Sequence, residues 1–202
     1  MDIISKTLLL KTIRKALETY LTDGLKLKIG SYESFPEEVL QTGRGVFVSI
    51  WRLPGPDIRA SKGIIHSEKP LIETAIDVCI GAIKHDAIFP QLKNAGSLAK
   101  LLVQITLLDE PVEISGLGQL TVGDQALIIS FQKHTGIFLP ELIRLAKWDA
   151  TEAVTQLCLK SGLPGNMWRD NRLKIFTATV DSFIETEPGG WDMMAFKDFI
   201  NA

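Results

Sequence analysis

A run of β-branched and aromatic residues that ends in a segment rich in proline and glycine constrains this fold most. Residues Val46 to Trp51 favour a strand, because such side chains pack well on a pleated, half-buried surface. The segment Leu53-Pro54-Gly55-Pro56-Asp57 follows directly, and its prolines and glycine favour a turn or loop. We therefore predict a first strand and a rigid turn, after which Ile64 and Ile65 suit a second short strand.

Other helices and strands are predicted from the spacing of apolar residues. Apolar residues recur at helical spacing from Ile3 to Leu21, and they alternate with polar ones from Leu101 to Leu108, as in a strand with one buried face. The remaining predicted elements are a helix after Ser67 and Pro70, a hairpin over residues 126–139, a helix that opens at Trp148 to Glu152, and a last strand from Leu173 to Ile184. The hairpin is predicted to turn through Lys133 to Gly136, with Gly136 supplying the unusual backbone angles. Because no regular βαβ rhythm is present, we expect an α+β fold with a mainly antiparallel sheet flanked by helices.

The opening helix carries a cationic cluster on its polar side, formed by Lys11, Arg14 and Lys15. A solvated helix face is one interpretation of this cluster. An acidic partner or a membrane surface is the alternative, because both attract a helix that presents several cations.

Charge and composition exclude several classes of protein. The 24 acidic and 22 basic residues give a formal net charge of −2, which lacks the positive field expected of a nucleic-acid-binding protein. The longest apolar runs are shorter than the about 20 residues that a bilayer crossing needs. Basic residues interrupt the apolar positions near the N-terminus, whereas a signal peptide has an uninterrupted apolar core. We expect a cytoplasmic protein with no nucleic-acid or membrane partner.

Cysteine and histidine residues are few and widely separated in this sequence. Cys79 and Cys158 lie in apolar helical patterns, which predicts buried hydrophobic residues in a reducing compartment. The three histidines, His66, His85 and His134, fall on different predicted elements, so no metal site is expected. The sequence also has no nucleophile elbow and no phosphate-binding loop, and we predict no cofactor.

One dipeptide, Lys62-Gly63, gives a local indication of a binding site. It lies in the segment from Ala60 to Ser67, which we interpret as a short loop. Glycine lets a ligand approach backbone donors, and the lysine ammonium supplies charge for an anion. A tight turn with a solvated lysine is the alternative interpretation. Phe89 and Pro90 follow a predicted helix and suit either a pocket wall or a corner of the core.

Several motifs, taken in order and spacing from about residue 45 to residue 184, resemble a known family. They are Gly45-Val46-Phe47-Val48-Ser49, Pro70-Leu71, Asp86-Ala87-Ile88-Phe89-Pro90, Glu110-Pro111-Val112-Glu113-Ile114, Gly136-Ile137-Phe138-Leu139-Pro140, Trp148-Asp149, Leu157-Cys158-Leu159-Lys160-Ser161-Gly162-Leu163-Pro164 and Trp168. The chain is similar to the AMMECR-one domain family, known in archaea and bacteria as component A of the AmmeMemoRadiSam system. The resemblance implies an α+β fold of a larger and a smaller lobe with a cleft between them. We interpret residues 1–184 as this domain and residues 185–202 as a linker and an amphipathic C-terminal tail.

The sequence departs from the family at its signature motif. The family's Arg-Gly-Cys-Ile-Gly corresponds to Lys62-Gly63-Ile64-Ile65-His66, so that Ile64 replaces the cysteine and His66 replaces the second glycine. Ile88 also stands where the family usually has arginine, and Gln125-Ala126 where it often has His-Gly. Because isoleucine is neither a nucleophile nor a ligand, any activity that depends on that sulfur should be absent.

Two functions are consistent with these residues. The first is a non-catalytic binding or scaffold module that engages a protein partner or a small anionic ligand, either in the cleft or through residues Trp191 to Phe199. The alternative is an enzyme acting on a small anionic metabolite in the interlobe cleft, with Lys62 and the Gly63 amide binding the anion and His66 as general acid or base. The candidate ligand-binding residues are Lys62, Gly63, Ile64, His66, Phe89 and Pro90.

Overall fold

Helices and strands follow one another irregularly along residues 1–54, 57–84 and 95–200, the part of the chain that the computed structural model describes. The helices are α1 (Ile3–Asp23), α2 (Glu37–Leu40), α3 (Leu71–Lys84), α4 (Pro140–Ala146), α5 (Ala150–Lys160) and α6 (Phe196–Phe199). The strands are β1 (Gly45–Arg52), β2 (Asp57–Ile64), β3 (Leu101–Leu108), β4 (Val112–Ile114), β5 (Gln125–Phe131), β6 (His134–Phe138), β7 (Lys174–Glu185) and β8 (Met193–Ala195). Short 3-10 turns cover Ala95–Lys100, Leu117–Gln119 and Met167–Arg169.

Antiparallel pairing dominates the sheet, which confirms the α+β class expected from the sequence. The pairs β1–β2, β5–β6, β5–β7, β4–β7 and β7–β8 are antiparallel. The chain divides into two compact units, residues Met1–Leu107 with Asp181–Ala202 as unit 1 and Leu108–Val180 as unit 2. The domain boundaries and the cleft expected from the sequence stay predictions.

Unit 1 contains β2, β1, β3 and the end of β7 from Asp181 on, in that order, with β8 added to this end of β7. Helix α3 packs against β1 and β2, and α1 packs against α3. Helix α1 begins where the Asp2 side chain accepts a hydrogen bond from the Ser5 amide at 2.7 Å, and it ends at Gly24, whose φ of 71° suits glycine. The fully buried core side chains include Leu9, Ile13, Leu17, Val46, Val48, Ile50, Leu71, Ile72, Val103 and Ile105.

The C-terminal tail contributes β8 and α6 to unit 1. Phe196 is buried, and its ring centroid lies 5.0 Å from that of Trp51, with Leu102 and Ile184 in the same cluster. Trp191 is 76% exposed, although the Lys11 ammonium lies 4.2 Å from its ring centroid. The tail therefore packs against its own unit through Phe196 and leaves Trp191 on the surface.

Unit 2 is built on the hairpin of β5 and β6, which confirms the hairpin predicted from the sequence. The predicted turn is confirmed at Lys133 and is wrong for His134 to Gly136, because the reversal lies between the paired residues Phe131 and His134. The positive φ of 52° belongs to Gln132 rather than to Gly136. Gly136 instead lies in β6, where a Cβ atom would overlap the hydroxyl of Ser161 from α5. Its glycine is explained by close packing of helix on strand rather than by an unusual backbone angle.

Helix α5 covers the hairpin in unit 2 and begins within the predicted opening segment from Trp148 to Glu152. Asp149 accepts a hydrogen bond from the Glu152 amide at 2.8 Å, which satisfies one of the unpaired donors of the first turn. The core beneath it is formed by Leu127, Ile129, Phe138, Ile143, Val154, Leu157 and Cys158. No helix in the described ranges is long and apolar enough to span a bilayer.

Candidate functional site

The segment interpreted from the sequence as a loop is instead mostly strand. Residues from Ala60 to Ile64 form the second half of β2, which pairs with β1 so that Lys62 lies opposite Val48 and Gly63 opposite Phe47. The loop prediction is wrong for Ala60 to Gly63, because long-range pairing with the apolar strand β1 outweighs the local preference of lysine, serine and glycine for turns. The second strand predicted at Ile64 and Ile65 is confirmed at Ile64, where β2 ends. The candidate residues Lys62, Gly63 and Ile64 therefore lie on a strand rather than in a loop.

Alternation along β2 separates the candidate residues onto two faces. Successive strand side chains point to opposite faces, so Lys62 and Ile64 share one face while Gly63 belongs to the other. The Lys62 side chain extends over helix α3, since a Cβ atom at Gly81 would lie 2.9 Å from Lys62 Cδ and 3.2 Å from its Nζ. The glycine in α3 therefore leaves room for the lysine stem, whose side chain is exposed.

Gly63 is explained by its cross-strand neighbour. A Cβ atom at this position would overlap the Phe47 ring, which lies across the strand where a side chain would otherwise stand. An aromatic ring that covers a glycine in a neighbouring strand replaces the packing that the glycine lacks. The sequence associated this glycine with an anion-binding backbone, whereas the structure places an aromatic ring over its Cα.

Replacing Gly63 with alanine is expected to lower the free energy of unfolding by about 1–3 kcal/mol, the usual effect of overpacking a filled space. Equilibrium urea unfolding measures this change. Gly30→Ala is the matched control, because nothing lies within 4 Å of a Cβ atom there. The free energy of unfolding of this variant should not be lower than that of the wild type. Adding Phe47→Leu to Gly63→Ala should recover part of the loss. Equal effects at Gly63 and Gly30 would show that the ring contact is unimportant.

His66 lies beyond the end of β2, two residues after Ile64. Its side chain is 61% exposed, and its Nε2 atom lies 2.7 Å from Glu68 Oε1. The neighbouring backbone is anchored, since the Gly43 amide donates to the Ser67 carbonyl at 2.6 Å. The structure thus brings Lys62 and Ile64 onto one face of β2 and places His66 after it. Phe89 and Pro90 lie outside the described residues, as does His85.

Both cysteines are completely buried, each in the core of a different unit, which confirms the structural interpretation of these residues. Burial raises the pKa of the Cys79 thiol far above its usual range, and burial likewise raises the pKa of the Cys158 thiol. Such thiols remain protonated and unreactive at neutral pH. Within residues 1–54, 57–84 and 95–200, no group of three or more His, Cys, Asp or Glu side chains could hold a metal ion.

Sequence reasoning missed a pocket on unit 1 between α1 and the segment that follows it. The pocket has a volume of about 290 Å³ and is lined by Lys11, Thr12, Lys15, Leu27, Lys28, Ile29, Gly30 and Phe35. The cationic cluster of α1 was the signal that could have indicated it, because Lys11 and Lys15 stand one helical turn apart. The cluster itself needs a correction, since Arg14 is buried and paired with Glu185 rather than solvated.

The AMMECR1 family model matches residues 10–183 of the sequence, which is most of the chain. The chain belongs to the AMMECR1 family. This confirms the resemblance stated from the motifs. Protein MJ0810 of Methanocaldococcus jannaschii is 32% identical over 190 residues, covering 91% of this chain and 92% of the relative. Protein MK0488 of Methanopyrus kandleri is 28% identical over 188 residues, covering 90% of this chain and 89% of the relative.

A solved structure shares this fold along nearly the whole chain. The crystal structure of the uncharacterized protein PH0010 from Pyrococcus horikoshii matches with a TM-score of 0.89 at 27% identity, covering 96% of this chain and 98% of that one. The chain thus spans nearly the full length of these AMMECR1 relatives. Because a shared fold does not fix an activity, the function has to be argued from the residues of this chain.

Proposed function

We propose that this AMMECR1 protein is a non-catalytic binding module that holds an anionic group, carried by a small molecule or by a protein partner. The observation that carries the proposal is the exposed face formed by Lys62 and Ile64 on β2. Ile64 is 42% exposed at the position where the resemblance implies a cysteine. An exposed isoleucine offers a hydrophobic contact to a ligand but cannot attack it or bind a metal.

The placement of Lys62 supports recognition of an anion next to an apolar group. Its stem lies over Gly81 of α3, so packing restricts the side chain while its ammonium stays in contact with water. A cation that is already ordered loses less entropy when it binds a ligand. Lys62 and Ile64 are two residues apart on the same face, which places charge and hydrocarbon side by side.

The contact between His66 and Glu68 favours the alternative, an enzyme that acts on a small anionic metabolite. A carboxylate 2.7 Å from an imidazole nitrogen orients the ring, as general acid–base chemistry needs. Both side chains are well exposed, at 61% and 89%. Water weakens electrostatic stabilisation at such a place, so the binding function is the better supported of the two.

The test measures retention and turnover in the same samples. Purified protein is dialysed against a defined mixture of organic anions and phosphate esters, and mass spectrometry quantifies both the retained compounds and their rate of loss. We expect the wild type to retain a ligand without consuming it, and Lys62→Glu/Ile64→Asp to retain at least about 10-fold less, which corresponds to about 1.4 kcal/mol. Lys133→Glu/Val112→Asp makes the same two changes at an exposed lysine and an exposed aliphatic residue of unit 2, so it is the charge-matched control and should retain as much as the wild type.

The two sources of the anionic group and the alternative function give different outcomes. The anionic group would be assigned to a protein partner if immobilised wild-type protein captured a protein through Lys62 and Ile64 and retained no small molecule. Repeated consumption of one compound by the wild type but not by His66→Ala would overturn the binding function in favour of an enzyme. Equal retention by the wild type and Lys62→Glu/Ile64→Asp would remove this face from the proposal.

A further inference from the structure

The pocket beside α1 combines an apolar lining with several cations. Leu27, Ile29 and Phe35 are partly buried and pack against the core of unit 1. Lys11 and Lys15 contribute from α1, and the third lysine, Lys28, contributes from the segment after the helix; all the lining residues belong to unit 1.

Charge at this pocket is not balanced by neighbouring carboxylates. Neither Lys15 nor Lys28 makes an ion pair with any residue in the described part of the chain. The acidic residues nearest to them in sequence, Glu18, Asp23 and Glu33, are therefore not paired with them. Like charges one helical turn apart disfavour each other, as at Lys11 and Lys15. An anion that binds between these lysines would relieve that repulsion.

The Lys11 ammonium is held in place at the rim of the pocket. It donates to the Gly189 carbonyl at 2.7 Å and also to the Gly190 carbonyl, and it lies over the exposed ring of Trp191. An ammonium has three donors, so the two carbonyls leave one for a ligand. Because this cation is already ordered, contacting it costs a ligand little additional entropy.

We propose that this pocket is a second binding site, distinct from the Lys62 and Ile64 face, for a small amphipathic anion. The ligand would place a carboxylate, sulfonate or phosphate group between Lys15 and Lys28, with Lys11 as a third contact. Its compact apolar body would lie on Leu27, Ile29 and Phe35. Ligand pockets usually enclose about 300–1,000 Å³, so a volume of about 290 Å³ suits a small molecule.

The experiment uses anilinonaphthalene sulfonate, an amphipathic anion that fluoresces in apolar surroundings, and its uncharged counterpart without the sulfonate. Titration of the full chain should give saturable binding of about one probe per chain. Lys15→Glu/Lys28→Glu should weaken binding of the anion at least about 10-fold and change binding of the uncharged counterpart less than about 2-fold. Raising NaCl from about 0.05 to about 0.5 M should weaken anion binding to the wild type, because salt screens exposed charges.

Lys133→Glu/Lys197→Glu carries the same change in net charge at exposed lysines outside the pocket and should bind the anion within about 2-fold of the wild type. Lys15→Gln/Lys28→Gln removes the two charges without reversing them, and circular dichroism checks that every variant is folded. Equal loss in both charge-reversal variants would assign the effect to net charge and overturn the site. Unchanged binding in Lys15→Glu/Lys28→Glu, or no saturable binding to the wild type, would do the same. Lys62→Glu/Ile64→Asp should bind this probe normally, so failure of the proposed function leaves this result unaffected.

Discussion

Replacing Glu185 with leucine is expected to lower the free energy of unfolding by about 3–5 kcal/mol, because it leaves the buried Arg14 guanidinium without its counter-ion. The two side chains are only 6% and 2% exposed. Small domains have total stabilities of about 5–15 kcal/mol, so a loss of this size removes a large share of it. The effect should appear as a lower urea midpoint and a lower Tm.

The contacts around the pair explain why one partner cannot be removed alone. Arg14 Nε donates to Glu185 Oε1 at 3.0 Å, and Arg14 Nη2 donates both to Glu185 Oε2 and, at 2.8 Å, to the Leu101 carbonyl. Glu185 Oε2 also accepts from the Val103 amide at 2.9 Å. The pair thus connects α1 to β3 and β7 within unit 1. Loss of Glu185 leaves the buried Arg14 charge without a counter-ion and takes one acceptor from the Val103 amide.

The control for this prediction is an ion pair on the same strand that faces water. Glu113 lies 3.0 Å from the ammonium of Lys174 on β7, and both side chains are more than half exposed, so Glu113→Leu should cost less than about 1 kcal/mol. Arg14→Met alone should be strongly destabilising, whereas Arg14→Met combined with Glu185→Leu should recover most of the loss, because no buried charge is left unpaired. A double variant as unstable as either single variant would contradict this account of the pair.

The same pair shows where sequence reasoning ended. The helical period correctly predicted α1, yet Arg14 was assigned to its solvated side although it falls between Leu10 and Leu17 in the apolar pattern. That position was an available signal for burial, since i, i+3 and i+4 residues share one helix face. The partner, Glu185, is separated from Arg14 by 171 residues, and nothing local in the sequence connects them.

Strand β2 illustrates a different limit. Local composition favoured a loop over Ala60 to Ser67. Most of this segment is a strand because it pairs with β1, and only the register of the sheet identifies that partner. That register also placed Lys62 and Gly63 on opposite faces and set the Phe47 ring over the glycine. The candidate residues were identified from the sequence and the family motif. Which of them share a face of the strand could not be predicted in this way.

Long periodic segments were predicted and short elements were not. Helices α1, α3 and α5 and the β5–β6 hairpin have enough residues to show a period. Strands β4 and β8 have three residues each, which is too few to show alternation. The pocket beside α1 depends on how the segment from Leu27 to Phe35 folds back on the helix. Leu27 and Ile29 alternate with lysine and glycine there, yet the segment forms neither a helix nor a strand.

Replacing Phe196 with alanine is expected to lower the free energy of unfolding by about 3–5 kcal/mol, the usual loss for truncating a buried aromatic side chain. Phe196 is 2% exposed and packs between Trp51 and Phe199, with ring centroids 5.0 and 5.6 Å away. The Trp51 ring is held in place because its Nε1 atom donates to Gln104 Oε1 at 2.6 Å. It therefore does not move into the space that Phe196 leaves. The cavity should therefore remain, and thermal or urea unfolding measures its cost.

Trp191 is the matched control, since it lies in the same tail but is 76% exposed. Trp191→Ala should change the free energy of unfolding by no more than about 0.5 kcal/mol, as exposed substitutions usually do. Comparing the two variants distinguishes the two roles of the tail, packing on unit 1 and binding a partner. A residue that stabilises unit 1 from inside its core cannot also be presented to a partner. If Phe196→Ala were as stable as Trp191→Ala, the tail would not be anchored by that ring, and residues Trp191 to Phe199 would again be candidates for binding a partner.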